Sequence, residues 1–354
     1  MNKNVDINSL RDRVRGSIVG GAIGDAWGYP VEFISYEEIT THYGSRGITR
    51  LELDPLVGKA VVSDDTQMTL FTAMGLINAH ESQVDCLSCI ADAYIEWFYT
   101  QMWSQSLKSP RCFIAALPEL QVSRAPGSTC MSALYDILQG RPVLNNSKGC
   151  GGVMRVAPVP LYFLAHTVFN SIDDVDVLAA DAARITHKHP MGYIPAAFVS
   201  HLIYCLAADE QPSTSGFVTY VTDAMAALYR LYPDNADMIA DFSDMIKSAI
   251  DMALSETELS DNEAIDSIGE GWVADEAAAI ACYCVCKYFD DFEQALIAAA
   301  NHDGDSDSTA AIAGNILGAA MGYNAIPEYL KRDVEMHSLA VKIADALVDG
   351  CISG

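Results

Sequence analysis

The sequence predicts an all-α protein, a compact single-domain bundle of a dozen or more helices. Alanine is abundant, and apolar residues recur at intervals of three and four along most of the chain. Met68, Phe71 and Met74, for example, fall on one face of a helix. Alternating runs of Val, Ile and Thr, which are typical of strands, are scarce, and no hairpin signal stands out.

The periodic segments predict the helices in chain order. They cover residues 66–80, 84–103, 129–139, 175–187, 195–208, 217–231, 236–254, 273–288, 292–300, 308–321 and 327–348. An earlier helix carries a glycine every fourth position, at Gly16, Gly20, Gly24 and Gly28. These glycines form one smooth stripe, which predicts that another backbone packs closely against this helix.

Composition and charge exclude several classes of function. The chain has 354 residues with 21 Lys and Arg against 47 Asp and Glu, a formal net charge of -26. A field of that sign repels nucleic acids and anionic lipid surfaces. We find no apolar run of the roughly 18 residues that a membrane helix needs and no secretory signal, so we expect a cytoplasmic protein. The ten cysteines, including Cys86 with Cys89, are interpreted as buried thiols rather than zinc ligands.

No linker or repeat divides the chain, so one domain is expected. Residues 1–15 are polar and alternate in charge, and we interpret them as an extension that precedes a domain spanning residues 16–354. Such an extension suggests either a cap on the bundle or a surface that binds a partner.

The strongest chemical signal is the run from His302 to Thr309, HDGDSDST. Three carboxylates in five residues repel one another unless a cation or ligand lies among them, and helix capping accounts for only one or two of them. An EF-hand is excluded, because its sixth and twelfth positions would be Ser308 and Gly314. The pattern also matches the DxDxT motif of haloacid-dehalogenase-type phosphatases, which we keep as an alternative.

A second acidic run, Ser63-Asp64-Asp65-Thr66, comes just before a predicted helix. Carboxylate and hydroxyl oxygens favour Mg²⁺, Mn²⁺ or Ca²⁺ over zinc or copper. If the two runs share one site, two divalent cations would neutralise Asp64, Asp65, Asp305 and Asp307. Paired metals of this kind are a known catalytic arrangement.

Three further turns are candidates for anion binding or for capping. Residues 148–155, KGCGGVMR, and residues 124–129, RAPGST, combine flexible backbone with an arginine. In residues 186–190, THKHP, the pair His187 and His189 is separated by Lys188, which disfavours metal binding, so we interpret this segment as a helix end.

Taken together, seven segments resemble the ADP-ribosylglycohydrolases, which include dinitrogenase reductase-activating glycohydrolase and the ADP-ribosyl-arginine hydrolases. In the family's order they are GGAIGDAWGYPVEF, SDDTQM, RAPGSTC, KGCGGVMRVAP, THKHPMGYIPAA, GEGWVADEAAAIA and NHDGDSDSTAAIAG, between residues 14 and 323. The resemblance implies an all-α fold around a dinuclear Mg²⁺ site, with Mn²⁺ as the other candidate metal. RAPGST and HDGDSDST look closest to the arginine-type members.

The resemblance also implies roles for particular residues. Metal ligation would fall to Ser63, Asp64, Asp65, Asp305, Asp307 and Ser308. The ribose and diphosphate would lie along Gly127, Ser128, Gly151, Gly152 and Met154. His187 would be structural or line the substrate, and Glu32 matches a glutamate beside the reacting ribose. Asp303 stands where many members have glycine, which we expect to place an extra carboxylate near the metals.

These assignments lead to an expected function. The protein would hydrolyse the bond between ADP-ribose and an arginine side chain of a modified protein, with Asp64, Asp65, Asp305 or Glu32 as general base. An alternative is an antitoxin that neutralises an ADP-ribosyltransferase by binding and covering it, because an acidic surface suits a basic partner.

Overall fold

The described part of the protein is built from helices joined by loops and short 3₁₀ turns. The computed structural model describes residues 6–102, 110–166, 171–255 and 259–352, and within them it contains no β-strand. The predicted all-α, single-domain architecture is confirmed. The sixteen helices of these residues are α1 (Ile7–Gly28), α2 (Tyr36–Tyr43), α3 (Asp64–Ser82), α4 (Cys86–Thr100), α5 (Ser128–Leu138), α6 (Pro158–His166), α7 (Ile172–Arg184), α8 (Pro190–Ala208), α9 (Thr214–Leu231), α10 (Ala236–Leu254), α11 (Asp261–Asp266), α12 (Ala274–Lys287), α13 (Phe292–Ala300), α14 (Ser306–Met321), α15 (Glu328–Asp333) and α16 (His337–Asp349).

Helix α14 lies at the centre of the bundle. All its residues from Ser306 to Ala320 are buried, and it packs against α1, α8, α12 and α13. Helix α3 packs against α4, α6 and α16. An alanine- and glycine-rich sequence suits a central helix, because small side chains let several neighbours approach it at once.

Helices α1 and α14 meet with almost no side chain between their backbones. A Cβ atom on Gly20 would lie 2.4 Å from the carbonyl oxygen of Gly314, and one on Gly24 would lie 2.0 Å from that of Ala310. In return, a Cβ atom on Gly314 would lie 2.2 Å from the Gly20 oxygen. The glycine stripe therefore serves close helix packing, as its spacing predicts.

Two predicted helices differ substantially from the observed ones, whereas most of the others differ only by a few residues at an end. Helix α8 begins at Pro190 rather than at residue 195, and Pro195 lies inside it. The segment 327–348 is two helices, because the backbone between them pairs with Ala60: Ala60 N–H donates to Asp333 O and Glu335 N–H donates to Ala60 O, each at 2.8 Å. Met336 then turns the chain with a φ of 58°. Tertiary pairing here overrides a continuous helical pattern.

Residues 7–15 are not separate from the core, which corrects the expected boundary after residue 15. They form the first turns of α1, and Leu10 and Val14 are buried. The charged positions face α16 instead: Arg11 pairs with Asp349 at 2.6 Å and Arg15 with Asp345 at 2.7 Å. Leu10 and Val14 are four residues apart, but the charged residues around them obscure this apolar spacing in the sequence. Residues 1–5 lie outside the described residues.

Helix α8 is long and apolar enough to cross a membrane by length and composition alone, contrary to the expectation that no segment reaches this length. Its most apolar window is 83% buried within the fold. Here it is the core helix of a bundle, packed against α7, α9 and α14. All ten cysteines are free thiols, and among them only Cys351 is exposed.

Gly24→Ala should lower the free energy of unfolding by about 3 kcal/mol, because its methyl group would collide with the Ala310 carbonyl oxygen. Urea unfolding measures the loss. As a control, Ser9→Ala on the exposed first turn of the same helix should change stability by less than about 0.5 kcal/mol. Equal stabilities of the two variants would contradict the close packing of α1 on α14.

Candidate active site

Two helix N-termini supply most of the acidic residues. Asp64 and Asp65 begin α3, and the Ser63 hydroxyl accepts a hydrogen bond from the Asp65 N–H at 3.1 Å. Asp305 caps α14 by accepting from the Ser308 N–H at 3.3 Å. Short polar side chains occupy these positions because a helix start leaves backbone N–H groups without partners.

Helix α1 holds both N-termini in place. The buried carboxylate of Asp25 accepts hydrogen bonds from the Ser63 N–H at 2.9 Å and from the Thr66 N–H and hydroxyl at 3.0 and 2.5 Å. At the end of α1, a Cβ atom on Gly28 would lie 2.2 Å from the Ser306 carbonyl oxygen. One helix thus fixes the start of α3 through a side chain and the start of α14 through its backbone.

The acidic residues converge on one buried space, as predicted. One oxygen from each of Glu32, Asp305 and Asp307 lies within 4.8 Å of the others. All the aspartates of this cluster, Asp64, Asp65, Asp305 and Asp307, are more than nine-tenths buried. The Asp65 Oδ2 atom is buried with no hydrogen-bond partner. An unpaired buried carboxylate oxygen is costly unless a cation or a ligand compensates it.

Burial and mutual repulsion shift the protonation of this cluster. Burial, reinforced by the charges of Asp305 and Asp64, raises the pKa of Glu32 to about 8. Burial also raises the pKa of Asp64 to about 8. The pKa values of Asp65 and Asp307 are raised well above the usual range for the same two reasons. Without cations, the cluster therefore retains protons at neutral pH.

The donor set fits hard divalent cations. Carboxylate oxygens and the Ser308 hydroxyl are ligands of the kind that Mg²⁺, Mn²⁺ and Ca²⁺ prefer. Oxygens within 4.8 Å of one another can meet on one cation, since metal–oxygen distances are about 2.0–2.6 Å. Among the described residues that line the cavity, none is a lysine or arginine that would compete for the carboxylates.

The acidic cluster opens into a cavity of about 250 Å³ that also contains the predicted glycine loops. The predicted site residues that line it are Glu32, Asp64, Asp65, Gly127, Ser128, Gly151, Met154, His187, Asp305, Asp307 and Ser308. Two predicted residues lie behind this surface. Ser63 is fully buried at its helix cap, and Gly152 packs on Gly192, whose carbonyl oxygen would be 2.8 Å from an added Cβ atom.

Asp303 does not join the cluster, which corrects the expectation of an extra carboxylate near the metals. It is exposed, and its Oδ1 accepts a hydrogen bond from the Tyr36 N–H at 2.6 Å, so it caps α2. The next residue, Gly304, has a φ of 99°. This left-handed turn separates the direction of Asp303 from that of Asp305.

Arg155 also has a different place from the anion-binding role considered for it. It is fully buried, its guanidinium lies 4.2 Å from the centre of the Tyr94 ring, and it donates to the Thr186 hydroxyl at 2.7 Å. Its charge is therefore used inside the core, beneath the loop that carries the glycines.

The histidines of the two motifs make structural contacts. His187 lines the cavity, and burial lowers its pKa to about 3. His189 caps α8 by accepting from the Met191 N–H at 3.0 Å, as expected of a helix boundary. His302 is buried and hydrogen-bonds the Thr309 hydroxyl at 2.8 Å.

Sequence reasoning missed four residues of this region. Asp25 was hidden inside the glycine-rich helix, although a single acid among GGAIGDAWG was a usable signal. The thiol of Cys150 donates to Asp305 Oδ2 at 2.9 Å. Phe33 and Trp272 line the cavity and are exposed. Nothing in their local patterns distinguishes these three residues from ordinary loop residues.

The phosphatase alternative is wrong for this fold. Its motif must follow a buried β-strand, whereas Asp305 follows helix α13, and the described residues contain no strand. Thr309, the last residue of the motif, is buried and donates to the Ala299 carbonyl oxygen at 2.8 Å, away from the cavity.

The fold and the site define an all-α protein with a buried acidic cation site beside a glycine-lined cavity. The family model described as ADP-ribosylglycohydrolase matches residues 6–353. The chain therefore belongs to the ADP-ribosylglycohydrolase family, which makes it a hydrolase that removes ADP-ribose.

Known relatives and solved structures match over almost the whole chain. The ADP-ribosyl-dinitrogen reductase glycohydrolase of Rhodospirillum rubrum is 26% identical over 96% of this chain and 97% of its own length. The ADP-ribosylhydrolase ARH3 of Bos taurus is 24% identical, over 95% and 92%. A structure described as an ADP-ribosylglycohydrolase-related protein complex has a TM-score of 0.68 at 21% identity, covering 97% of this chain and 99% of that chain, so it shares the fold.

Removal of divalent cations should make stability strongly dependent on pH. A carboxyl group whose pKa is raised on folding stabilises the native state at low pH, and this contribution is lost as the pH rises from about 4, the unfolded value, towards about 8. In chelator, the Tm should fall by about 5 °C more between pH 5 and 8.5 than it does in Mg²⁺. Parallel curves with and without Mg²⁺ would contradict the proposed protonation of the cluster.

Proposed function

We propose that this protein hydrolyses the N-glycosidic bond between ADP-ribose and an arginine side chain, using two divalent cations, Mg²⁺ or Mn²⁺. The observation that carries the proposal is the buried group of carboxyls, with its unpaired Asp65 oxygen, in a cavity shared with two glycine loops. The family assignment supports removal of ADP-ribose, and the chemistry of the site supports the linkage.

The residues that would hold the cations come from both helix N-termini. Asp64 and Asp65 from α3 and Asp305, Asp307 and Ser308 from α14 face the cavity together. Ser63 would act on these ligands from behind, by holding the Asp65 backbone. When bound, the cations would fix the ribose through its hydroxyls and so orient the ring for attack by water.

Glu32 is the carboxyl that we assign as general base. It is only partly buried, whereas the aspartates are almost wholly buried, so it has the best access to water entering the cavity. Its raised pKa of about 8 lies close to the working pH of a general base. The anionic form would also favour the positive charge that develops on the ribose as the bond breaks.

The glycine loops would bind the diphosphate without any basic side chain. Gly127 precedes α5, whose N-terminus has no side-chain cap in the described structure. A Cβ atom on Gly127 would meet nothing within 4 Å, so glycine leaves this space open to a ligand. Backbone N–H groups at a helix N-terminus are suited to anions, which matters in a protein of net charge -26.

The charge of the cavity favours arginine as the modified side chain. A guanidinium carries a positive charge into a cavity with five carboxyl groups and, among the described lining residues, no lysine or arginine. Two divalent cations would leave a residual negative potential, which favours binding of a cationic side chain. The neutral oxygen of a serine linkage would gain nothing from it. Asp303 does not contribute, since it faces α2.

Asp305→Asn and Asp307→Asn should remain folded but lose activity by at least about 10²-fold, because they remove charge from the cation site. The same variants should bind fewer cations in equilibrium dialysis. Asp303→Asn is an equally conservative change at an exposed neighbour. Its activity should stay within about threefold of the wild-type activity. Full activity in chelator would contradict the metal requirement.

The linkage is tested with matched peptides that carry ADP-ribose on arginine or on serine. At equal Mg²⁺ concentration, we expect kcat/KM to be at least about tenfold higher for arginine, roughly 1.4 kcal/mol in transition-state binding. Equal rates or a preference for serine would overturn the arginine assignment and leave the family assignment unchanged.

A further inference from the structure

Phe33 is an exposed aromatic residue that separates two hollows. Its side chain is 57% exposed, and its ring stacks on Trp272 with centroids 4.8 Å apart and planes 3° from parallel. On one side Phe33 lines the acidic cavity, together with Trp272. On the other side it lines a hollow of about 780 Å³ beside α2. A contiguous pair of exposed rings is a candidate binding surface, in contrast to apolar residues that are exposed singly.

The backbone holds this ring pair in a fixed position relative to the carboxyl cluster. Phe33 N–H donates to the Gly304 carbonyl oxygen at 2.9 Å. On the Trp272 side, the Glu270 carbonyl oxygen accepts from the Asp305 N–H, also at 2.9 Å. Phe33 adopts a left-handed φ of 64°, an unfavourable backbone conformation for a non-glycine residue. The surrounding contacts therefore maintain a strained residue at the cavity mouth, as is common at ligand sites.

In the described part of the chain, the charged side chains that line the hollow beside α2 are all acidic. Its lining includes Glu37, Glu38 and Glu52, and none of the described residues that line it is a lysine or arginine. His42 and Tyr43 add aromatic side chains to the lining. Carboxylates combined with aromatic faces favour cationic side chains, through charge and through cation–π contact.

The hollow lies close to the bond that would be cleaved, which suggests which part of the substrate it binds. Phe33 directly follows Glu32, the carboxyl proposed as general base, so it lies next to the place where the bond to the modified side chain would be cut. The diphosphate would extend towards Gly127 and Ser128. The polypeptide that carries the modified side chain needs a route that the nucleotide does not fill, and Phe33 lines both the cavity and the acidic hollow.

We propose that this hollow is the docking site for the polypeptide on either side of the modified arginine. The guanidinium passes over the Phe33–Trp272 pair, and basic residues next to it in the sequence lie against Glu37 and Glu52. This inference rests on the proposed function. It adds a preference for ADP-ribosylated segments that are rich in lysine and arginine.

The experiment compares free ADP-ribosyl-arginine with two ADP-ribosyl-arginine peptides, one flanked by lysines and one by glycines. Of these three substrates, the lysine-flanked peptide should have the lowest KM with the wild-type protein. Glu37→Lys should raise that KM by about fivefold. The KM for free ADP-ribosyl-arginine should not change. Phe33→Leu keeps an apolar side chain but loses the ring face, so it should raise KM for all three substrates by about fivefold. The Kd of ADP-ribose should stay the same in both variants.

The matched control is Glu119→Lys, the same charge reversal at an exposed position outside both hollows. It should leave every KM unchanged. Suppose that the wild-type protein cleaves arginine-linked substrates and that Glu37→Lys has the same KM as the wild type for both peptides. The docking site is then wrong and the proposed function stands. A loss of ADP-ribose binding in Phe33→Leu would assign the ring to the nucleotide and overturn the docking role. If no arginine-linked substrate is cleaved, both proposals fall.

Discussion

The backbone contact between α1 and α14 is the constraint on which the site depends. Helices that meet through ordinary side chains lie about 8–10 Å apart, whereas here a carbonyl oxygen of α14 occupies the place of a missing Cβ atom of α1. This contact runs from Gly16 to Gly28 and ends at Ser306, the first residue of α14. The glycines therefore fix the position of the acidic loop before any ligand binds. Asp25, on the same helix, also fixes the start of α3, because it accepts hydrogen bonds from the N–H groups there.

Placing five carboxyl groups together opposes folding, and the structure offsets that cost locally. Both acidic runs lie at helix N-termini, where the helix dipole and free N–H groups stabilise negative charge. The Asp64 Oδ2 atom also accepts from the Gly127 N–H at 3.2 Å, which links the cation ligands to the loop proposed for the diphosphate. The Asp65 oxygen remains unpaired. Local capping thus compensates part of the charge, and the remainder is available to cations.

Sequence reasoning reached the fold class and the residues whose patterns are local. Helix N-caps are short-range features, so the acids at the starts of α3 and α14 could be identified, and α10 and α13 were predicted at their observed bounds. It failed where a distant contact decides the outcome. Pairing with Ala60 breaks the helix after Asp333, and the φ of Gly304 turns Asp303 away. The roles of Phe33 and Trp272 depend on two loops that are distant in sequence, which no local pattern reveals.

An acidic protein that acts on an anionic ligand must separate its charges within one cavity. One cavity holds both the carboxyl groups, which include Glu32, and the uncapped start of α5, beside Gly127. A substrate with a cationic side chain and an anionic diphosphate carries a charge that suits each of these two features. The diphosphate would face backbone N–H groups, while the guanidinium would face carboxyls. The net charge of -26 weakens binding of free nucleotides in general. This penalty is smallest for ligands that also carry a positive group able to reach the carboxyl groups, so the global charge and the composition of the cavity favour the same class of substrate.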